Sequence, residues 1–279
     1  MTLRMSPDLL FLLSLAIKMA VSALFVVVAV YSAERAGPVV GAMVATLPVS
    51  AGPTYIFLSL DHSTAFIADS ALASFVMNAI TCVLALVYAL LAQRRGMLVS
   101  VGAALATWIG LAILARSAAW TTVSACVFNF VVLGGCLAIG DRLRHVRMPL
   151  VGRRWYDIPL RAGMVAVLVA TVVTLSAHVG PTVTGILAVF PIVMTSLMLI
   201  LHPRIGGRAT AAVFANSMLG LVGFSLSCLT ARLTVVPLGK AAGLALALAV
   251  SIGCNLVFWW VRRGKRIAAA PIASSPPRA

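Results

Sequence analysis

Apolar residues fill this chain in long uninterrupted blocks, separated by short connections that carry arginine, glycine or proline, and no polar stripe recurs inside the blocks. A block of about 20 apolar residues is what a helix needs to cross hydrocarbon, because lipid cannot satisfy backbone polar groups and a helix satisfies its own. Nine segments meet that test, at 9–32, 38–59, 65–92, 97–115, 118–140, 158–178, 181–201, 209–231 and 236–261. The pattern predicts an all-α membrane protein.

One motif recurs within the blocks. Gly37-Pro38 is followed by Pro48, and Gly180-Pro181 by Pro191, at the same spacing. Laying 17–58 on 160–201 without gaps gives eight identities in 42 positions, among them both prolines, while Lys18 meets Arg161. Five spans separate the two copies, and an odd number turns the second upside down. The expected architecture is two inverted repeats, five spans plus four, with Pro-kinked second and seventh helices. Residues 1–140 form the first repeat, 141–157 a basic cytoplasmic loop, 158–266 the second repeat and 267–279 a disordered tail rich in Ala, Pro and Ser. In general shape this resembles the inverted-repeat secondary transporters, and the length is similar to that of ten-helix drug and metabolite exporters. No motif assigns a named family, so no residue roles are carried over.

Composition supports the membrane reading: 62% of residues are hydrophobic, 10% are charged and mean hydropathy is +1.10. The formal charge of +15 raises nucleic acid as a partner, but the basic residues lie in short clusters between apolar blocks and act as topology signals. With 141–157 taken as cytoplasmic, 14 basic residues fall on that side and four on the other. The expectation is a multi-pass protein of a bacterial inner membrane, N-terminus outside and C-terminus cytoplasmic. Trp120, Trp155, Tyr156, Trp259 and Trp260 lie near span ends, as interfacial rings do, whereas Trp108 is mid-span and reads as packing. The five cysteines, all within apolar spans and without metal-ligand spacing, read as free thiols.

Proline inside a helix removes a donor and frees carbonyls, and irregular backbone at membrane depth persists only where protein buries it or where it lines a cavity. Pro48 and Pro191 therefore mark a candidate substrate site between two bent helices. Thr46, Ser50, Thr195 and Ser196 stand beside them as hydrogen-bonding groups, with helix packing as the competing role. Lys18, a cation inside a span, is a candidate for an anionic substrate or a snorkelling side chain. Asn78 and Asn216 are buried amides suited to substrate or to bridging helices. Asp69 is the one carboxylate inside an apolar span and the sole coupling candidate, set against a solvated helix-start acid.

Enzyme readings lack support in the sequence. The histidines lie at loops or span ends, and no GxSxG, HExxH or P-loop pattern occurs. No cofactor or metal is expected. The function expected is secondary transport or export of a small molecule by alternating access. A non-transporting scaffold or complex subunit is the alternative, and a membrane enzyme acting on a lipid carrier is a more distant one.

Overall fold

The computed structural model describes residues 7–35, 51–144 and 154–268, and among these the chain is helical with no strand. The helices are α1 (Pro7–Arg35), α2 (Ala51–Asp61), α3 (Thr64–Leu91), α4 (Met97–Arg116), α5 (Thr122–Asp141), α6 (Asp157–Ala188), α7 (Ile192–Leu238) and α8 (Lys240–Ala268). Gly37, Pro38, Thr46, Pro48 and Ser50, residues 145–153 of the basic loop and the tail from 269 lie outside the described residues.

Local chemistry accounts for the boundaries. Ser63 caps α3 by accepting from the Phe66 amide, and Thr121 and Ser124 form a reciprocal capping box at the start of α5. Gly180 (φ 73°, ψ 174°) reverses the chain inside α6, and Gly206 (φ 79°, ψ 163°) does the same inside α7. Both need the positive φ that glycine adopts without strain. Pro181 follows the first turn, where its missing donor is harmless.

Among the described residues, five helical runs are long and apolar enough to cross a bilayer: Thr64–Leu91, Met97–Arg116, Thr122–Asp141, Asp157–Leu238 and Lys240–Phe258. These fit a multi-pass membrane protein. The expectation of nine separate spans is not reproduced, for identifiable reasons. Only α2 of the expected span 38–59 is described, α1 offers a shorter apolar stretch at Leu12–Val28, and the turns at Gly180 and Gly206 link three expected spans into the single run Asp157–Leu238.

α3 is the axis of the bundle. In its most apolar window 78% of residues are buried, against 28% in α4 and α5 and 22% in α8, so those three turn most of their apolar surface outward. Phe130, Leu98 and Val123 are examples of large apolar side chains left exposed there. α3 packs most extensively against α7, and the part of α7 after Gly206 runs antiparallel to it: Asp69 near the start of α3 meets Arg232 near the end of α7, while Gly207 lies against the Ala92 carbonyl at the opposite end. The bundle thus has a Lys240 end and an Arg204 end. Close approach depends on glycine in places, since a Cβ on Gly185 would run into the Ser70 carbonyl.

Candidate functional site

The expected bend at Pro191 is a full break. α6 ends at Ala188, the Val189 and Phe190 amides donate back to Ile186 and Leu187 at 3.3 and 3.0 Å, and α7 starts at Ile192 with Pro191 in the capping position. The ring of proline explains the stop, as it has no amide to extend the helix. Protein buries the interruption: Phe190 meets Trp108 edge to face at 5.3 Å, and the Trp108 indole donates to Thr81 Oγ1 at 3.0 Å. Trp108 is accordingly a packing residue. Beside the break, the Ser74 hydroxyl donates to the Gly185 carbonyl at 2.8 Å, leaving the Tyr55 hydroxyl to donate to Ser74 at 2.7 Å.

The hydroxyls singled out near the proline are already engaged. Thr195 donates to the Pro191 carbonyl at 2.8 Å and Ser196 to the Val193 carbonyl at 2.7 Å, each within its own turn. Such back-bonding satisfies a hydroxyl in an apolar setting.

Asn78 lies fully buried at the crossing of α3 and α7. Its amide donates to the Leu221 carbonyl and to Ser225 Oγ, both at 2.7 Å; Ser225 donates to Asn129 Oδ1 at 3.0 Å, and Asn129 donates to the Phe75 and Ala125 carbonyls. The chain of amides and hydroxyl ties α3, α5 and α7. Asn78 Oδ1 is buried and has no hydrogen-bond partner. Asn216 instead donates to the Ala212 carbonyl of its own helix, at 2.9 Å.

Toward the Lys240 end, α2, α3, α7 and α8 line a half-open cavity of about 380 Å³. Its walls include Ala51, Gly52, Tyr55, Ala71, Ala231 and Leu244. That volume falls in the range of about 300–1,000 Å³ typical of small-molecule sites. No Asp, Glu, Lys, Arg or His lines it.

Around the same end the charges are paired. Lys18 Nζ is 2.6 Å from Asp61 Oδ2, which sets Lys18 level with the α2–α3 connection, and Arg232 Nη1 is 2.5 Å from Asp69 Oδ1. Asp69, the coupling candidate, is half exposed in this pair. Lys240 Nζ donates to the His62 carbonyl at 3.0 Å; the His62 ring stacks on Phe66 and hydrogen-bonds Ser176 at 2.8 Å. Desolvation holds the His62 pKa below the ordinary histidine value, an effect larger than the opposing pull of Asp61. At the Arg204 end, Arg204 binds Asp157 through two hydrogen bonds and shares the Tyr156 hydroxyl with Arg154. The two guanidinium groups lower the Tyr156 pKa by stabilising its phenolate.

The structure therefore sets Pro191, Thr195 and Ser196 at the break, Asn78 at the central crossing, and Lys18 and Asp69 in ion pairs at one end. It does not gather them around one space. The cavity is lined by other residues, mainly small ones, whose role is legible only once the helices facing them are known. Among the described residues no group of three or more His, Cys, Asp or Glu could hold a metal, and the cysteines are free. Comparison of the chain with protein-family models, with curated proteins and with solved structures finds no match.

Proposed function

We propose that the protein is a secondary transporter or exporter of a small molecule, built of two inverted repeats and working by alternating access in a bacterial inner membrane. The observation that carries this reading is the hydrogen bond from Asn78 to Leu221, residues 143 positions apart, at the crossing of α3 with α7. That separation equals the offset between the two proline motifs, so the contact joins a position to its own counterpart, as happens on a two-fold axis. Helix boundaries keep the same offset: Gly96 and Gly239 precede α4 and α8, and Thr64 and Gly207 begin antiparallel segments. Lys18–Asp61 and Asp157–Arg204 each tie the opening helix of one half to the chain beyond that half's proline, at opposite ends. In this scheme α5 is the unpaired span of the first half, since the residues at the matching offset, 265–279, carry Lys, Arg, Pro and Ser in place of an apolar run.

Alternating access requires a site reachable from one side at a time. The cavity lies toward the Lys240 end, and the Arg204 end is filled by Tyr88, Met198 and Phe214, all fully buried. One blocked half and one hollow half is the form a single state of such a transporter takes. The charge bias makes the Arg204 end cytoplasmic, with the N-terminus outside and the C-terminus inside. The same filled half favours a second reading, a non-transporting scaffold or complex subunit, in which it never opens.

The deciding experiment compares metabolites inside and outside cells lacking and overproducing the chain, then follows each altered compound in vesicles carrying purified protein. Flux into protein-bearing vesicles, abolished by locking α3 to α7, is the expected result. Unchanged metabolite levels and no flux leave the scaffold.

A further inference from the structure

The cavity and the matching region in the other half of the chain differ in side-chain size at three lining positions, although Phe224 lines the cavity where the other half has Thr81. Ala71, Ala231 and Ser59 line the cavity; the residues 143 positions away are Phe214, Tyr88 and His202. Those three fill their half. The Tyr88 and Phe214 rings sit 5.1 Å apart, and the Tyr88 hydroxyl is 2.8 Å from His202 Nδ1. The cavity is thus the space that small residues leave where the opposite half places aromatic rings.

Two of its three hydroxyls are spent, with Ser227 the third in the lining. The Tyr55 hydroxyl is hydrogen-bonded to Ser74, and the Ser59 hydroxyl donates to the Ile56 carbonyl at 2.6 Å. The cations nearest this end, Lys18, Arg232 and Lys240, are engaged by Asp61, Asp69 and the His62 carbonyl. A charged ligand entering here would shed its hydration without a charged side chain to meet it, and burying an unpaired charge is prohibitive. An apolar ligand meets no such barrier, because the walls offer Ala, Leu, Ile and Phe surface.

We infer that this cavity binds an uncharged, predominantly apolar small molecule, and that this class of compound is the cargo. The inference deepens the transporter reading and rests on it for the word cargo, although binding itself does not. It replaces the anionic substrate that Lys18 suggests from sequence.

The test uses the full-length protein in detergent and the uncharged fluorophore N-phenyl-1-naphthylamine, with benzoate as the anionic competitor. Saturable binding that benzoate does not displace is expected. Ala231→Tyr places in the cavity the residue that fills the other half, and Ala245→Trp blocks the rim from an exposed position on α8, where folding is least at risk. Each should weaken binding about tenfold or more. Gly102→Trp, the counterpart of Ala245 on α4, where an added Cβ meets nothing within 4 Å, should leave binding unchanged. Non-saturable uptake of the fluorophore, equal in all variants, overturns the inference, as does displacement by benzoate. Saturable binding lost in Ala245→Trp, with no flux of any compound in vesicles, keeps the inference for the site and removes the transporter. Flux of an anion untouched by Ala231→Tyr and Ala245→Trp does the reverse.

Discussion

Arg204 grips Asp157 with both arms of its guanidinium, Nη1 to Oδ2 at 2.8 Å and Nη2 to Oδ1 at 2.6 Å, and each side chain is nearly nine-tenths covered. A fork-to-carboxylate pair of this kind fixes orientation as well as charge. Because little water reaches it, removing one partner strands the other. Asp157→Asn should cost more stability than the loss of a solvent-exposed pair. Arg204→Lys should recover only part of the loss relative to Arg204→Ala, since an ammonium cannot match two oxygens. The Asp69–Arg232 pair is shorter but open to solvent, with side chains 52% and 29% exposed. Asp69→Asn should therefore change stability by less than about 1 kcal/mol. Thermal unfolding of purified protein in one detergent measures both. Equal losses at the two sites would mean that burial does not govern these pairs.

The central amide network yields a coupling prediction. Asn78 donates a hydrogen bond to Ser225 at 2.7 Å, and the Ser225 hydroxyl donates in turn to Asn129 Oδ1. Truncating either should remove more than its own contact. In a double-mutant cycle of Asn78→Ala and Ser225→Ala the coupling should be about 0.6 kcal/mol and no more than about 1.7 kcal/mol, the range for hydrogen bonds between membrane helices. Purely additive losses would show that the two side chains do not act together.

Glycine substitutions separate close packing from mere tolerance. A Cβ on Gly185 would collide with the Ser70 carbonyl, and one on Gly207 with the Ala92 carbonyl, so neither clash can be relieved by turning a side chain. Gly185→Ala and Gly207→Ala should push α3 away from its neighbours and lower the yield of folded protein. At Gly110 and Gly163, helical and open on the added side, alanine should be neutral or stabilising by roughly 0.5–1 kcal/mol. Detergent size-exclusion profiles of the four variants give the comparison.

Much of this architecture is legible in the sequence, for a physical reason. Apolar runs must end where a charge or a glycine lets the chain turn, so the expected segments 65–92 and 97–115 coincide within a residue with α3 and α4. Gly180-Pro181 marks its turn for the same reason. The pairing of Lys18 with Asp61, or of Asp69 with Arg232, leaves no local trace, because partners 43 and 163 positions apart meet only through the packing of whole helices. The cavity is harder still to see. Ala71 and Ala231 matter by what they lack, and an alanine in an apolar helix reads the same whether it packs against a neighbour or faces a void. Thr195 and Ser196 mislead in the opposite direction: a hydroxyl beside a proline suggests a ligand contact, yet the backbone of its own turn lies within reach and claims it.

His62 gives the pH dependence. Its ring is pressed on Phe66 at a centroid distance of 3.9 Å, with Lys18 and Lys240 adding positive charge nearby and Asp61 opposing them, and desolvation lowers its pKa below 6.5. The folded state therefore prefers neutral imidazole, and the unfolded chain takes up a proton first as pH falls. The stability that His62 contributes is complete above the unfolded value and declines as pH drops through it toward the folded one. Melting temperatures recorded from pH 8 downward should fall more steeply for the native chain than for His62→Gln, which keeps a polar side chain but cannot titrate. The difference should open below about pH 6.5. Parallel curves for the two proteins, or a native chain that gains stability on acidification relative to His62→Gln, would show that the ring is protonated in the fold and that the stack on Phe66 is made by the imidazolium instead.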